Sequence, residues 1–435
     1  MKRIYFSLVL LVFAGSVLAQ KVSFTEYDLS NGLHVVLHQD NKAPVVAVSV
    51  MYHVGSKDDS PGRTGFAHFF EHLLFEGTEN IPRGEFFKLV SKNGGTNNAN
   101  TTQDRTFYYE VFPSNQLKMG LWLESERMMH PVINPIGVKT QNEVVKEEKR
   151  KSFDNQPYAN FINYIFKDLF TKHPYHNPLI GSMEDLDAAT LDEFKAFNKK
   201  FYVPNNAVLV VAGDIQIDDA KKWVEAYFGA IKKGLPVEHE KIVETPITTQ
   251  IIDTAYDANI QIPAIMMAYR VPGETSDESV ALQLVSAVLS QGASSRMYKK
   301  MVDDKKNALV VSTFNYSLED YGAYICLALP NGNVPLNDLL KDMDEEIQKV
   351  QTDLITEDEF TKLRNQAENA LVTVNDKMLG VAENLANGYT FFKNTNHINT
   401  ELDKIKAVTR EDIRNVARKY LNPNQRVVLY YLPKK

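Results

Sequence analysis

His68-Phe69-Phe70-Glu71-His72 is the stretch that decides how this chain is read. Residues four apart on a helix lie on one face, one turn up. His68 and His72 can therefore present two imidazoles to a single Zn²⁺. Glu71 stands beside them, where its carboxylate can reach a water next to that metal. The surrounding helix, Phe66 to Phe75, also carries Phe69, Phe70, Leu73 and Leu74. It is apolar nearly all round, which marks a buried helix. Histidines and a carboxylate inside such a helix need partners, because an unpaired buried polar group is costly. The competing reading is a chance pentapeptide with ordinary core histidines.

Two histidines leave a zinc site incomplete. Catalytic sites take three protein ligands and keep one position for water. A predicted helix from Lys139 to Phe153 offers Glu143, Glu147 and Glu148. At 100° per residue, Glu148 lies within about 60° of Gln141, Val144 and Val145, the apolar inward side. Glu143 points about 140° away. Glu147 is spaced to pair with Lys151 across one turn, a usual solvated arrangement. Glu148 is the carboxylate expected to face the core. Against it stands the reading that all three are surface charges.

The composition, 44% hydrophobic and 24% charged, is that of a globular protein, and the length allows two or more domains. A net charge of −7 with scattered Lys and Arg gives no footprint for nucleic acid. Residues 1–19 read as a signal peptide. Lys2 and Arg3 precede the apolar run Ile4 to Phe13, and Val17-Leu18-Ala19 stands before Gln20 as a cleavage site. A retained membrane anchor is the alternative. The single Cys326, in the run Tyr324 to Leu329, cannot form an internal disulfide and reads as a buried small hydrophobe. An exported chain without disulfides points to the periplasm or another part of a bacterial envelope, or to secretion.

Along the chain, Leu33 to Leu37 and Val45 to Val54 read as strands. Thr64 is the expected N-cap of the motif helix, and Gly77-Thr78 its end. A helix from about Arg83 closes at Gly94-Gly95. Thr96 to Phe112 reads as strand. Helical patterns follow over Gln116 to His130, 159–170 and 190–202, then the apolar strand Ala207 to Ala212. The expected domains are a zinc-binding unit over 20–231, a linker over 232–250, and a second unit over 251–435. The second unit repeats the first. Thr190, Pro204-Asn205 and Val208 line up with Thr409, Pro423-Asn424 and Val427 at one constant offset of 219 residues. On a local offset of 215, His68, Glu71 and His72 face Gln283, Ser286 and Ala287. The second unit cannot bind this metal.

These residues resemble the insulinase or pitrilysin family of zinc peptidases, the inverzincins, and more closely their short bacterial branch similar to mitochondrial processing peptidase. The family's zinc-binding Glu follows the motif by roughly the spacing seen here, 76 residues from His72 to Glu148. Phe75-Glu76-Gly77-Thr78, Asn98-Ala99-Asn100-Thr101 before Asp104 and Tyr108-Tyr109, Gly181-Ser182, and Gly292-Ala293-Ser294-Ser295-Arg296 also match. The resemblance implies an α+β chain of two homologous α/β rolls in tandem, each a mostly antiparallel sheet with helices on one face. It implies a zinc endopeptidase acting on peptides inside a chamber formed by two such chains. His68, His72 and Glu148 would hold one Zn²⁺, and Glu71 would be the general base. The strand Asn98-Ala99-Asn100-Thr101 would pair with an extended substrate; an ordinary sheet edge is the alternative.

Two positions depart from the family pattern. Gln141 stands where a second carboxylate is common; it can orient a ligand or a water but cannot act as a base. In self-sufficient members the second unit also supplies an Arg and, seven residues later, a Tyr. Here those positions fall on Val302 and Leu309, while Arg296 and Tyr298 read as structural. This implies a heterodimer with a paralogous subunit carrying the missing pair. The alternatives are a homodimer that uses other donors, such as Tyr316 or Tyr321, and a non-catalytic assembly subunit. Purely structural zinc would want a fourth protein ligand and leave Glu71 without a role.

Overall fold

The computed structural model describes residues 21–434, so the signal peptide read into residues 1–19 lies outside the described residues. The first sheet contains β1 (Thr25–Asp28), β2 (His34–Gln39), β3 (Val45–Tyr52), β4 (Thr96–Thr101), β5 (Thr106–Pro113) and β6 (Ala207–Gly213). Their spatial order is β1-β2-β6-β3-β5-β4. The second sheet contains β7 (Ile251–Asp257), β8 (Ala264–Pro272), β9 (Ala308–Ser317), β10 (Tyr321–Pro330) and β11 (Arg426–Pro433), in the order β7-β11-β8-β10-β9. Without β1 the two orders correspond strand for strand. Each sheet has one parallel pair, β2 with β6 and β7 with β11, and is otherwise antiparallel. The duplication seen at the chain's two Pro-Asn turns therefore extends over both units. Thr190 and Thr409 each cap the helix before that turn, and Glu193 and Asp412 return the bond.

β6 is buried along its whole length, so its sheet needs cover on both faces. Helices of the same unit cover only one. The other is covered by a helix from the opposite unit. The helix Met378–Phe392 lays Val381, Ala382, Leu385 and Ala386 on Val36, Ala47, Met51, Val208 and Val210 of the first sheet. In return, the helix Phe161–Leu169 lays Ile165, Phe166 and Leu169 on Ala264, Met266, Ala268 and Ile325 of the second. At the seam, Lys57 lies 3.0 Å from Asp104, 2.6 Å from Glu319 and 3.0 Å from Asp320. Burial, with Asp104 and Glu319 nearby, pushes the Glu274 carboxyl up to about 8.

Four helices position the site: α1 (Phe66–Leu73), α2 (Phe86–Lys92), α3 (Leu117–Met129) and α4 (Pro135–Lys149). The structure corrects several local expectations. Thr96 to Phe112 is a hairpin, β4 and β5, not one strand. The Thr102 hydroxyl accepts from the N–H groups of Asp104 and Arg105, a turn built without glycine or proline. α4 starts at Pro135 with Asn134 as its cap, earlier than Lys139. Val145 is buried, but Val144 is exposed, so the inward face is narrower than the apolar pattern implied. The helices Met183–Ala188 and Ile217–Phe228 lie outside the helical patterns read from the sequence. Cys326 is buried.

Candidate metal centre

α1 is fixed in place before any ligand is considered. Its cap is not Thr64, whose backbone N–H and hydroxyl both bond Asp185. The Asp59 carboxylate instead accepts from the N–H groups of Gly65 (2.7 Å) and Ala67 (3.0 Å), satisfying two of the helix's orphan donors from a loop. Gly65 has φ +89°, and a Cβ there would lie 2.5 Å from the Ile180 carbonyl oxygen. Gly181, with φ +82°, faces it at equally close range, which gives the Gly181-Ser182 pair its physical role. Phe66, Phe69 and Phe70 pack against Phe194, Phe197 and Tyr202, and the Tyr108 hydroxyl bonds the Phe70 carbonyl at 3.1 Å. The apolar faces of α1 are used up by this packing, and the histidines are left on the side that meets α4.

There, His68, His72 and Glu148 converge. Their ligand atoms all lie within 4.8 Å of one another, and they are the only such trio of metal-binding side chains among the described residues. His72 Nε2 is 3.1 Å from one Glu148 oxygen, and His68 Nε2 is 3.5 Å from the other. Hydrogen bonds from His68 and then His72 hold the Glu148 carboxyl far below the usual range, against the opposing effect of burial. Tetrahedral zinc with N and O ligands needs donor separations of about 3.4 Å. The two-histidine, one-carboxylate set fits that ion. Glu143 and Glu147 turn outward, the first to Lys146 and the second to Arg150 and Lys151.

Glu71 lies on the same helix but outside the trio. One of its oxygens accepts a 2.6 Å hydrogen bond from the Thr101 hydroxyl at the end of β4. β4 is the edge of its sheet and pairs only with β5 among the described residues. Asn98 is exposed, Ala99 and Thr101 are buried, and Asn100 bonds Arg105. Asn98 to Thr101 thus ends beside Glu71 on an edge that no further strand covers among the described residues, and the Ala99 N–H is taken by the Asn98 side chain at 2.9 Å. Gln141 does not touch the trio. Its amide nitrogen donates to Glu76, which also pairs with Arg83.

In the second unit, Val302 is half-buried and Leu309 exposed on β9. Arg296 makes a two-pronged pair with Glu359 at 3.0 Å for each contact. Tyr298 packs on the second core. The Tyr321 hydroxyl donates to the Ile242 carbonyl and accepts from Glu244 N–H, and Tyr316 bonds Gln103 across the seam. The residues that sequence reasoning missed are Asp59 and the Thr101 hydroxyl. Asp59 lies outside the usual cap spacing, and no local pattern announces it.

The family profile described as Insulinase (Peptidase family M16) matches residues 34–183, and that described as Peptidase M16 inactive domain matches 188–367. The zinc protease PqqE of Helicobacter pylori is 31% identical over 341 residues, 77% of this chain and 76% of that protein. The crystal structure of a protease from Helicobacter pylori matches with a TM-score of 0.88 at 27% identity, covering 94% of this chain and 99% of that one. The periplasmic protease PqqL of Escherichia coli matches with a TM-score of 0.78 at 17% identity. That alignment covers 95% of this chain and 48% of the other, a likeness of fold alone. On its profiles and its relatives, this chain belongs to the insulinase family of peptidases, M16.

Proposed function

We propose that this chain is an exported zinc endopeptidase, with units at 20–231 and 251–435 joined by a linker at 232–250. The observation that carries the reading is the convergence of His68, His72 and Glu148 beside a carboxylate that is not part of the trio. Zn²⁺ held by that set supplies Lewis acidity at neutral pH. The unpaired edge of β4 at Asn98 to Thr101 takes an extended peptide as an added strand. Glu71 accepts the proton of the attacking water and then passes it to the leaving amine. Gln141 acts at a distance, by holding Glu76 against α4.

The same reading assigns oxyanion donors to a paralogous subunit in a heterodimer. Val302 and Leu309 have no side-chain donors, and the Tyr321 hydroxyl is engaged with the linker. A homodimer is the second arrangement, a non-catalytic assembly subunit the rival function. The intact trio and Glu71 speak against the rival. Elemental analysis and peptide cleavage, run on wild type and Glu148→Gln with and without an adjacent paralogue, test the proposal. One zinc per wild-type chain, little in Glu148→Gln, and cleavage that rises with the paralogue are expected. Equal zinc in both proteins would remove Glu148 from the site. Full activity of the pure homodimer would remove the heterodimer. Export is tested by N-terminal sequencing of native protein. A start near Gln20 is expected; an intact Met1 in a membrane fraction would make the leader an anchor.

A further inference from the structure

The Thr101 hydroxyl has a place in this site that substrate pairing along β4 does not require. A side-chain hydroxyl has one proton to donate. Thr101 donates it to Glu71, at 2.6 Å, and the residue is buried. Among the described residues no other hydrogen bond reaches the Glu71 carboxylate. The terminal torsion of a glutamate is broad and roughly two-fold, so an unanchored carboxylate samples many orientations. A single short bond to one oxygen selects one of them and leaves the second oxygen free.

The donor is itself held firmly. Thr101 is the last residue of β4, opposite Thr106, whose hydroxyl bonds the Val54 carbonyl at 2.9 Å. The turn that follows is closed by the Thr102 N–H to the Arg105 carbonyl at 2.8 Å. Its tip residue, Asp104, is buried and accepts from the Tyr175 hydroxyl and the Glu319 N–H, and Lys57 sits 3.0 Å away. Arg105, the next residue, bonds Asn100 on one side and Glu383 of the second unit on the other. The hairpin end that carries Thr101 is therefore clamped by residues of both units. α1, which carries Glu71, is anchored separately through Asp59 and Gly65.

We infer that Thr101 is a positioning residue: its hydroxyl orients the Glu71 carboxylate for proton transfer, and the clamped β4–β5 turn holds that hydroxyl in register. The inference rests on the reading of Glu71 as general base. It adds to the strand pairing expected of Thr101: the hydroxyl is spent on Glu71, and the residue's backbone remains for substrate.

The test compares Thr101→Val, Thr101→Ser, Glu71→Gln and the double variant Thr101→Val with Glu71→Gln, each in the assembly that gives wild type its activity. Valine keeps the shape and removes the proton donor; serine keeps the donor. Thr101→Val is expected to retain zinc and KM and to lose about 10- to 100-fold in kcat, the scale of a misplaced reacting group. Thr101→Ser should recover most of that loss. In the Glu71→Gln background the valine should cost nothing further. A crystal structure of zinc-loaded Thr101→Val should show the Glu71 carboxylate turned from its wild-type orientation. A kcat within twofold of wild type would overturn the inference, as would a serine variant no better than valine, an additive loss in the double variant, or an unmoved Glu71. Wild-type activity in Glu71→Gln would instead overturn the general-base reading on which the inference stands.

Discussion

The two units of this chain share a strand order and a helix-turn-strand ending, yet they spend their interiors differently. α1 presents His68, Glu71 and His72, and α4 brings Glu148 to meet the histidines. In the second unit, the helix Glu278–Ser290 carries Gln283, Ser286 and Ala287 at the matching positions. Leu363 stands 76 residues after Ala287, as Glu148 does after His72, and it is buried in the core. The scaffold persists where these four side chains have no counterparts, so the fold alone does not bring a metal-binding set with it. Their charges differ too. Below α1, Arg127 is fully buried at 3.1 Å from both Glu110 and Glu124, with its guanidinium over the rings of Phe75, Phe86 and Tyr108. The corresponding helix of the second unit, Leu336–Thr352, pairs Asp342 and Glu346 with lysines that include the half-exposed Lys305 and Lys349.

The contrast breaks first at the motif. Glu71→Gln should keep zinc and lose about 10²- to 10⁴-fold in kcat, the usual worth of a general base. Ser286→Ala, its counterpart, should leave kcat within twofold. Comparable losses in both would mean that the two helices do not divide the work as described.

The next contrast concerns stability. Arg127→Met strands two buried carboxylates and should cost about 3–5 kcal/mol in denaturant unfolding. Lys305→Met removes one partly exposed partner and should cost less than about 1 kcal/mol. Equal costs would contradict the difference drawn between the two charge clusters.

The third contrast lies at the seam. Glu274 has a folded-state pKa of about 8, raised first by burial and then by Asp104 and Glu319. The folded chain therefore holds this proton more tightly than the unfolded chain does. Stability from this group falls as pH rises from the unfolded value near 4.5 to about 8, and changes little above that. Glu274→Gln should flatten that part of the thermal-stability profile and help more at pH 9 than at pH 5. An unchanged slope would place Glu274 outside the coupled cluster.

What the sequence made legible follows from how local each signal is. The His68–His72 spacing and the inward direction of Glu148 need only helical geometry, and the structure brings those three side chains together. The duplication was visible because its Pro-Asn turns and capping threonines are local. The exchange of helices between units was not, since the apolar stripe of Met378–Phe392 does not say which sheet it covers. Asp59 was hidden for the same reason: it caps α1 across a loop. Val144 misled, because an apolar side chain at the right angle can still face water.

The central claim is that the first unit alone holds the metal. The most direct measurement is anomalous scattering at the zinc edge from a crystal grown with zinc. One strong peak among His68 Nε2, His72 Nε2 and the Glu148 carboxylate, with none beside Ser286, is the result this account predicts. No peak at that position, or a peak of equal strength in the second unit, would contradict it.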